Sequence, residues 1–453
     1  VSDVQAAGGT IALRGTLISC RDDPFLVDPS KAFFCQENGL VICSDGIITA
    51  CGPFADLKAR LSSDVVVVDH SDCLIAPGFI DAHIHYVQTG IIGAQGEQLL
   101  EWLDRHTFVA EQAFADEQVA RATAKAFCDE LLRNGTTTAL VFCSVHPESV
   151  VALFEEAERR NLRLIAGKVL MNRNAPAALR DTAQSGYDQS KQLISQWHGR
   201  RRALYAITPR FAVTSTPEQL EMAGALRREH PEVFVQTHIS ENQLEVERVR
   251  ELYPQRIDYF DVYAHHGLSG RRSIFAHGIH LDESELRRCS ESGTALAHCP
   301  TSNTFMGSGL FRMREVRDAR RPVEVGLGTD IGGGTSFSML CTMGEAYKIS
   351  QLVGRPIDAI EAFYLATLGG ARALALDERL GTLAPGREAD IVVLDPNATP
   401  LMAFRNMRVQ SIEEQLAVLM TLGDDRAVRA TYIAGELAHE RSARDPQAPR
   451  ACP

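Results

Sequence analysis

Two histidines one residue apart, His83 and His85, end the mostly apolar run "PGFIDAHIH". In an extended strand, residues i and i+2 share a face, so the two imidazoles aim at one point. Such a pair suits a divalent metal, and it equally suits two satisfied core histidines; alone it does not decide. Three further segments put suitable groups at the ends of strand-like runs: His238 in "VQTHISE", His277 in "FAHG" and Asp330 in "GLGTD". A catalytic zinc typically takes three nitrogen or oxygen ligands and keeps a position for water. His83, His85 and His238 with Asp330 meet that requirement, and an ion held there would bring the pKa of its water to about 7. Asp330 would accept the water's proton and help hold the ion. Glu241, three residues after His238, is expected at the start of the next helix, where its carboxyl could carry protons in and out of a substrate. His277 is suited to orienting the hydroxide, with ligation as its alternative.

These residues can converge only if their segments are neighbouring strands that end at the same level. Eight strand-like runs alternate with helical patterns: "CLIAPGFIDAHIH", "TTTALVFCSV", "LRLIAGKVLM", "ALYAITPRF", "VFVQTHIS", "SIFAHGIHL", "TALAHCPTSN" and "VEVGLGTDIG". That alternation is the signature of a parallel sheet with crossover helices. The helices include 116–135, with an acidic start and a glycine stop, and 216–230. Eight units over roughly 300 residues favour an α/β fold of the (β/α)8, TIM-like type, with an open doubly wound sheet as runner-up. The site would then lie at the C-terminal mouth of the barrel.

Both ends of the chain read differently, as short strands punctuated by Gly, Asp and Pro, and they are expected to pair into a small β-sandwich. The expected division is residues 1–75 for the first part of the sandwich, 76–378 for the barrel, and 379–453 for the second part and a polar tail. The tail, "ERSARDPQAPRACP", reads as disordered. One connection breaks the rhythm. After His85 the chain runs about 30 residues before a long helix, where two to six is usual, and this excursion is a candidate lid; an ordinary surface insertion is the alternative.

Composition narrows the function. A net charge of −12 and a pI near 5.7 argue against nucleic acid or anionic lipid as partner. Eleven scattered cysteines without a CxxC argue against a disulfide framework or a zinc ribbon. No apolar run is long enough to span a membrane and no secretory leader is recognisable, so a cytoplasmic protein is expected. The fourth strand has no lysine to bridge two metals, and Lys168 on the third reads as structural, which favours a single ion. His298 and Cys299 in "HCPTSN" and the loop pair His265 and His266 read as structural or solvated. "DIGGGTSF" lacks the Lys-Ser/Thr of a phosphate loop and reads as close-packed backbone behind Asp330.

"PGFIDAHIH", "HISE", "AHG" and "GLGTD", in this order and spacing, resemble the amidohydrolase superfamily over nearly the whole chain. Within it, "LLEWLDRHTFVAEQAF", "CSVHPESV", "TPRFAVTSTPEQL" and "HCPTSNTFMGSGLF" resemble the guanine deaminases. The resemblance implies hydrolysis of guanine to xanthine and ammonia, with one zinc per subunit, iron(II) being accepted by the same donors. It implies His83, His85, His238 and Asp330 as metal ligands, Glu241 as proton shuttle and His277 as the further histidine beside the metal. It also implies Gln88, Arg210 and Phe211 as contacts to the purine, and a homodimer. Arg210 could pair with the purine carbonyl or form a salt bridge at the barrel rim. Phe211 or Trp102 could cover the ring, or Phe211 could be plain core. The family often has a proline in the lid motif where this chain has Val109. Two alternatives stay open: the same fold acting on a triazine, a pterin or an adenosine derivative, and a catalytically silent binding module.

Overall fold

The computed structural model describes residues 9–63, 65–95 and 98–441. Eight parallel strands form the larger unit: β1 Phe79–His85, β2 Thr136–Phe142, β3 Arg163–Gly167, β4 Leu204–Pro209, β5 Phe234–Ile239, β6 Ser273–His277, β7 Ala295–His298 and β8 Val325–Leu327. Each pairs with its sequence neighbours from β1 to β8. The seam between β8 and β1 is closed just past β8, where the Asp330 N–H donates to the His83 carbonyl at 2.9 Å. The Thr329 N–H donates to the Asp81 carboxylate at 3.1 Å. The ends of the sheet therefore meet, and the architecture is a TIM-like barrel rather than an open sheet.

Ile80, Leu140, Ile165, Ala206, Phe234, Ile274 and Ala295, one residue from each of β1 to β7, pack into a single buried cluster with Leu374, Leu376 and Leu380. This is the filled barrel interior. Alternation then fixes what lies above it on the inner face: Phe142 on β2, His238 on β5, Arg210 just past β4 and Asp330 beyond β8. The helices follow the sequence logic. Glu117–Arg133 starts at Asp116, whose side chain accepts from the Gln118 N–H, and it buries Ala120, Ala124, Phe127, Cys128 and Leu131 at helical spacing. Pro217–Glu229 starts at Thr216, which caps Gln219.

The smaller unit is one seven-stranded hydrogen-bonded path made from both termini. In spatial order it runs Glu436–Glu440, Val428–Ile433, Ile391–Leu394, Val66–Pro77, Thr10–Cys20, Phe33–Ser44 and Ile47–Pro53. All neighbours are antiparallel except Thr10–Cys20 with Val66–Pro77. The barrel is thus an insertion between Val66–Pro77 and Ile391–Leu394, which pair directly.

Three sequence expectations need correction. The run "CLIAPGFIDAHIH" is two strands, not one: its first half ends a strand of the small sheet at Pro77, and β1 begins at Phe79. Gly78 marks the switch because a side chain there would collide with Thr137, 2.3 Å from an ideal Cβ. The C-terminal segment also contains helices, Pro400–Asn406 and Ile412–Leu422, so it is not purely β. His265 and His266 lie at the end of the helix Tyr259–His265 rather than in a loop, and His266 is buried beside Glu221. The expected disordered tail falls almost wholly on residues 442–453, outside the described residues. Among the described residues, ten cysteines are free and no helix is long and apolar enough to cross a membrane.

Candidate active site

His83 and His85 share a face, but pleating alone would have aimed that face outward, because Ile80 and Ala82 already occupy the barrel interior. A register shift between Asp81 and Ile84 reverses the parity, and the His83 N–H turns back to the Asp81 carboxylate at 3.1 Å. The inward aim of the pair is therefore the work of an irregularity that the HxH spacing does not encode.

Four donors meet above the barrel core. His85 Nε2 lies 3.2 Å from His238 Nε2, and Asp330 Oδ1 lies 3.2 Å from His83 Nε2 and 3.3 Å from His85 Nε2. Two ligand atoms on a tetrahedral ion with bonds of 2.0–2.1 Å stand about 3.3 Å apart, so these spacings fit a zinc-sized cation. The protonation pattern fits as well. His238 Nδ1 lies 2.7 Å from the Arg210 carbonyl, which only accepts, so Nδ1 carries the hydrogen and Nε2 presents a lone pair. His83 Nε2 is buried without a hydrogen-bond partner. Burial drives His83, His85 and His238 well below the usual histidine pKa, each helped by neighbouring positive charge, and so keeps them neutral.

A second grouping of donors, His83, His277, Cys299 and Asp330, overlaps the first. Its thiol is the weak member, since burial, with Asp330 and Asp81 nearby, pushes Cys299 well above the usual thiol range. His298 points away from the site and stacks on Phe311. Lys168 is fully buried and pairs with Asp181 at 2.5 Å, in the structural role expected of it.

Around the donors lie the groups that can move protons. Glu241 sits one residue before Asn242, the N-cap of helix Gln243–Leu252, so it belongs to the loop rather than to the helix. Its amide is held by Glu245 Oε2 at 2.8 Å, its Oε1 accepts from Ser308 Oγ at 3.2 Å, and its Oε2 lies 3.3 Å from His277 Nε2. Burial, and then the charge of Asp330, pushes the Glu241 carboxyl up to about 8. Burial likewise raises Asp330, against the lowering effect of His277 and a hydrogen bond from Ser302. Asn303 Oδ1 accepts from His277 Nδ1 at 2.8 Å, which leaves Nε2 as the acceptor facing Glu241. Ser240, His277 and Asp330 all hold left-handed backbone, with φ of 48°, 73° and 50°. At His277 this turn brings inward a side chain that alternation from Ala276 would send outward. Such strain concentrates where a scaffold must aim a functional group.

The cavity over these groups is lined by His85, Gln88, Trp102, Arg210, Phe211, Glu241 and Asp330, among others. The excursion after β1 forms part of its wall through Leu99, Trp102 and Leu103. Gly332 and Gly333 pass where a side chain would strike Gln88 Oε1 and Ser302 Oγ, which explains the glycines after Asp330. Arg210 is neither at the rim nor unpaired: its Nη1 meets both oxygens of buried Glu111 at 2.9 Å, and Gln88 Nε2 donates to Glu111 Oε1 at 3.1 Å. Sequence reasoning missed Glu111, Asp81, Ser302, Asn303 and Ser308. For Glu111 a signal existed, an acidic residue directly after the apolar run Phe108, Val109 and Ala110 of the excursion.

Residues 74–438 match the amidohydrolase family. Guanine deaminase of Escherichia coli (strain K12) is 50% identical over 434 residues, covering 95% of this chain and 98% of that protein. The chain belongs to the amidohydrolase family, among its guanine deaminases. Solved guanine deaminases superpose accordingly. The E. coli structure matches with a TM-score of 0.93 at 49% identity, covering 95% of this chain and all (100%) of the other. A guanine deaminase from C. acetobutylicum with guanine bound in its active site matches with a TM-score of 0.84 at 26% identity, covering 95% and 100%.

Proposed function

We propose that this chain hydrolyses guanine to xanthine and ammonia, using one zinc ion held by His83, His85, His238 and Asp330. The observation that carries the reading is the four-donor cluster, with its tetrahedral spacings, opening onto a cavity that also holds Glu241, Gln88, Arg210 and Phe211. An ion in that cluster supplies Lewis acidity, which makes water acidic enough to ionise near pH 7. The rest is proton and substrate handling by the chain. Asp330 Oδ1 faces the histidines and Oδ2 lies 3.9 Å from His277, so one carboxylate can both hold the ion and take a proton from the attacking water. Glu241, whose carboxyl is raised by burial, delivers a proton to the ring nitrogen beside the amino-bearing carbon. A carbon–oxygen bond forms, the carbon–nitrogen bond breaks, the second proton of the water leaves with the amine as ammonia, and the proton taken by Asp330 returns to Glu241. His277, its Nδ1 fixed by Asn303, orients the attacking oxygen through Nε2. Gln88 and Arg210 direct polar hydrogens at the purine, and Phe211 and Trp102 border its faces.

With the first boundary moved from 75 to Pro77, where the sheet strand ends, the division into sheet, barrel to 378 and sheet-plus-tail from 379 is proposed to work as a cytoplasmic homodimer. The test is ammonia release from guanine, with an adenosine derivative, a pterin and a triazine in parallel. Guanine turnover well above the others is expected, and Glu241→Gln should abolish nearly all of it. Turnover of another ring with none of guanine refutes the substrate, and full activity of Glu241→Gln refutes the mechanism.

A further inference from the structure

Glu111 touches both residues assigned to the purine, yet it comes from neither of their elements. It lies on the short helix Phe108–Gln112 of the excursion after β1, fully buried. Gln88 belongs to the turn Tyr86–Ile91, and Arg210 follows β4. Phe108, one helical turn before Glu111, lies under the same guanidinium, 5.6 Å from ring centre to Arg210 Cζ. The helix therefore meets Arg210 with a carboxylate and an aromatic face together.

Two consequences follow for whatever occupies the cavity. A carboxylate only accepts, so Gln88 must turn its Nε2 toward Glu111. Its Oε1 then sits against Gly332, where an ideal Cβ would be 2.0 Å away, and the second Nε2 hydrogen is what the side chain has left to offer. Arg210 is also a donor, and its positive charge is cancelled at 2.9 Å by a partner that is itself out of water. An unpaired buried guanidinium draws anions strongly; a paired one is a neutral patch of donors. We infer that Glu111 sets the charge selectivity of the cavity, admitting a neutral ring with a carbonyl acceptor and discriminating against anionic rings. This rests on the reading of the cavity as a guanine site. Glu111 acts through Gln88 and Arg210 and is a positioning residue; the excursion that carries it contributes selectivity as well as cover.

The test is Glu111→Gln, which keeps the shape and removes the charge. KM for guanine should rise about tenfold or more while kcat changes less than about threefold, and urate, an anion at neutral pH, should inhibit about tenfold more tightly. A purely structural role would lower the amount of folded, metal-loaded protein without inverting selectivity. Unchanged guanine KM together with unchanged urate inhibition overturns the inference, as does a loss confined to kcat. Glu111→Asp keeps the charge with a shorter reach, and covers the case in which Glu111→Gln does not fold. It should raise guanine KM and leave urate inhibition unchanged; tighter urate inhibition there contradicts the inference. If the unsubstituted protein releases no ammonia from guanine, the substrate reading fails. Equilibrium binding of neutral hypoxanthine against urate, with and without Glu111→Gln, then decides the selectivity separately.

Discussion

Asp81 is the residue whose replacement most clearly separates hydrogen bonding from charge. It is fully buried and takes three donors: the Thr329 N–H at 3.1 Å, the Thr329 hydroxyl at 2.5 Å and the His83 N–H at 3.1 Å. Those bonds join β1 to the segment after β8 and fix the backbone of two proposed metal ligands, His83 and Asp330. Asp81→Ala strands all three donors, and at about 1–3 kcal/mol for each unsatisfied buried group the fold should lose about 3–5 kcal/mol after partial relaxation. Asp81→Asn keeps an acceptor for both N–H groups, and the threonine hydroxyl can turn to accept from the new amide. Burial pushes Asp81 up to about 7, so the native site already disfavours the charge, and relief of that penalty offsets the weaker bonds. Asparagine should therefore cost less than about 1–2 kcal/mol in stability. Asp81→Ala should hold metal about 10–100-fold more weakly, because the support behind the ligands is lost, and Asp81→Asn, which keeps that support, should lose less. Urea unfolding of metal-stripped protein gives the first quantity, and competition with a chelator gives the second. Equal stability of the alanine and asparagine variants, or native metal affinity in both, would refute this account of the seam.

Three further outcomes are expected. Gly332→Ala puts a Cβ 2.0 Å from Gln88 Oε1 at a φ of 116°, and kcat/KM should fall about a hundredfold with metal content unchanged; native kinetics would show that Gln88 does not contact the substrate. Glu388 joins the small sheet to the barrel through Arg163 at 2.6 Å and Arg202 at 2.8 Å, next to the N-terminal ends of β3 and β4 and away from the site. Glu388→Ala should cost about 3–5 kcal/mol in urea unfolding and leave KM unaltered. Burial, and then the nearby Glu241, pushes Glu245 from 4.5 up to about 7. The folded protein thus binds that proton more tightly than the unfolded chain, so the contribution is fully present below about pH 4.5 and is lost as pH rises toward 7. Glu245→Gln should remove a pH dependence on the order of 3 kcal/mol across that window, and identical pH–stability slopes in the two proteins would contradict the shift.

The sequence carried the parts of the site that sit at strand ends. His83, His85, His238, His277 and Asp330 each close an apolar run, and an eight-unit α/β pattern gives such residues one meeting place. What it did not carry depends on departures from regular geometry or on partners distant in the chain. The bulge that turns His83 inward leaves no mark in a run of apolar residues. The left-handed turn at His277 is set by tertiary packing rather than by a glycine. Glu111 reaches Arg210 across 99 positions of sequence, and Ser302, Asn303 and Ser308 act from a helix and loop that follow a strand with no ligand of the proposed set. Pro77 and Gly78 read as the approach to a barrel strand because both sides of the break are apolar; only pairing with Ile391–Leu394 shows that the chain changes sheets there.

One metal ion at His83, His85, His238 and Asp330 is proposed to drive release of ammonia from guanine. The most direct test strips the purified protein of metal and titrates zinc back while ammonia and xanthine are measured on the same sample. Turnover should be negligible without metal and rise to saturate at one equivalent per chain, and His238→Ala should abolish it. Full guanine turnover in the metal-free protein, or none with one equivalent bound, would contradict this role for the ion.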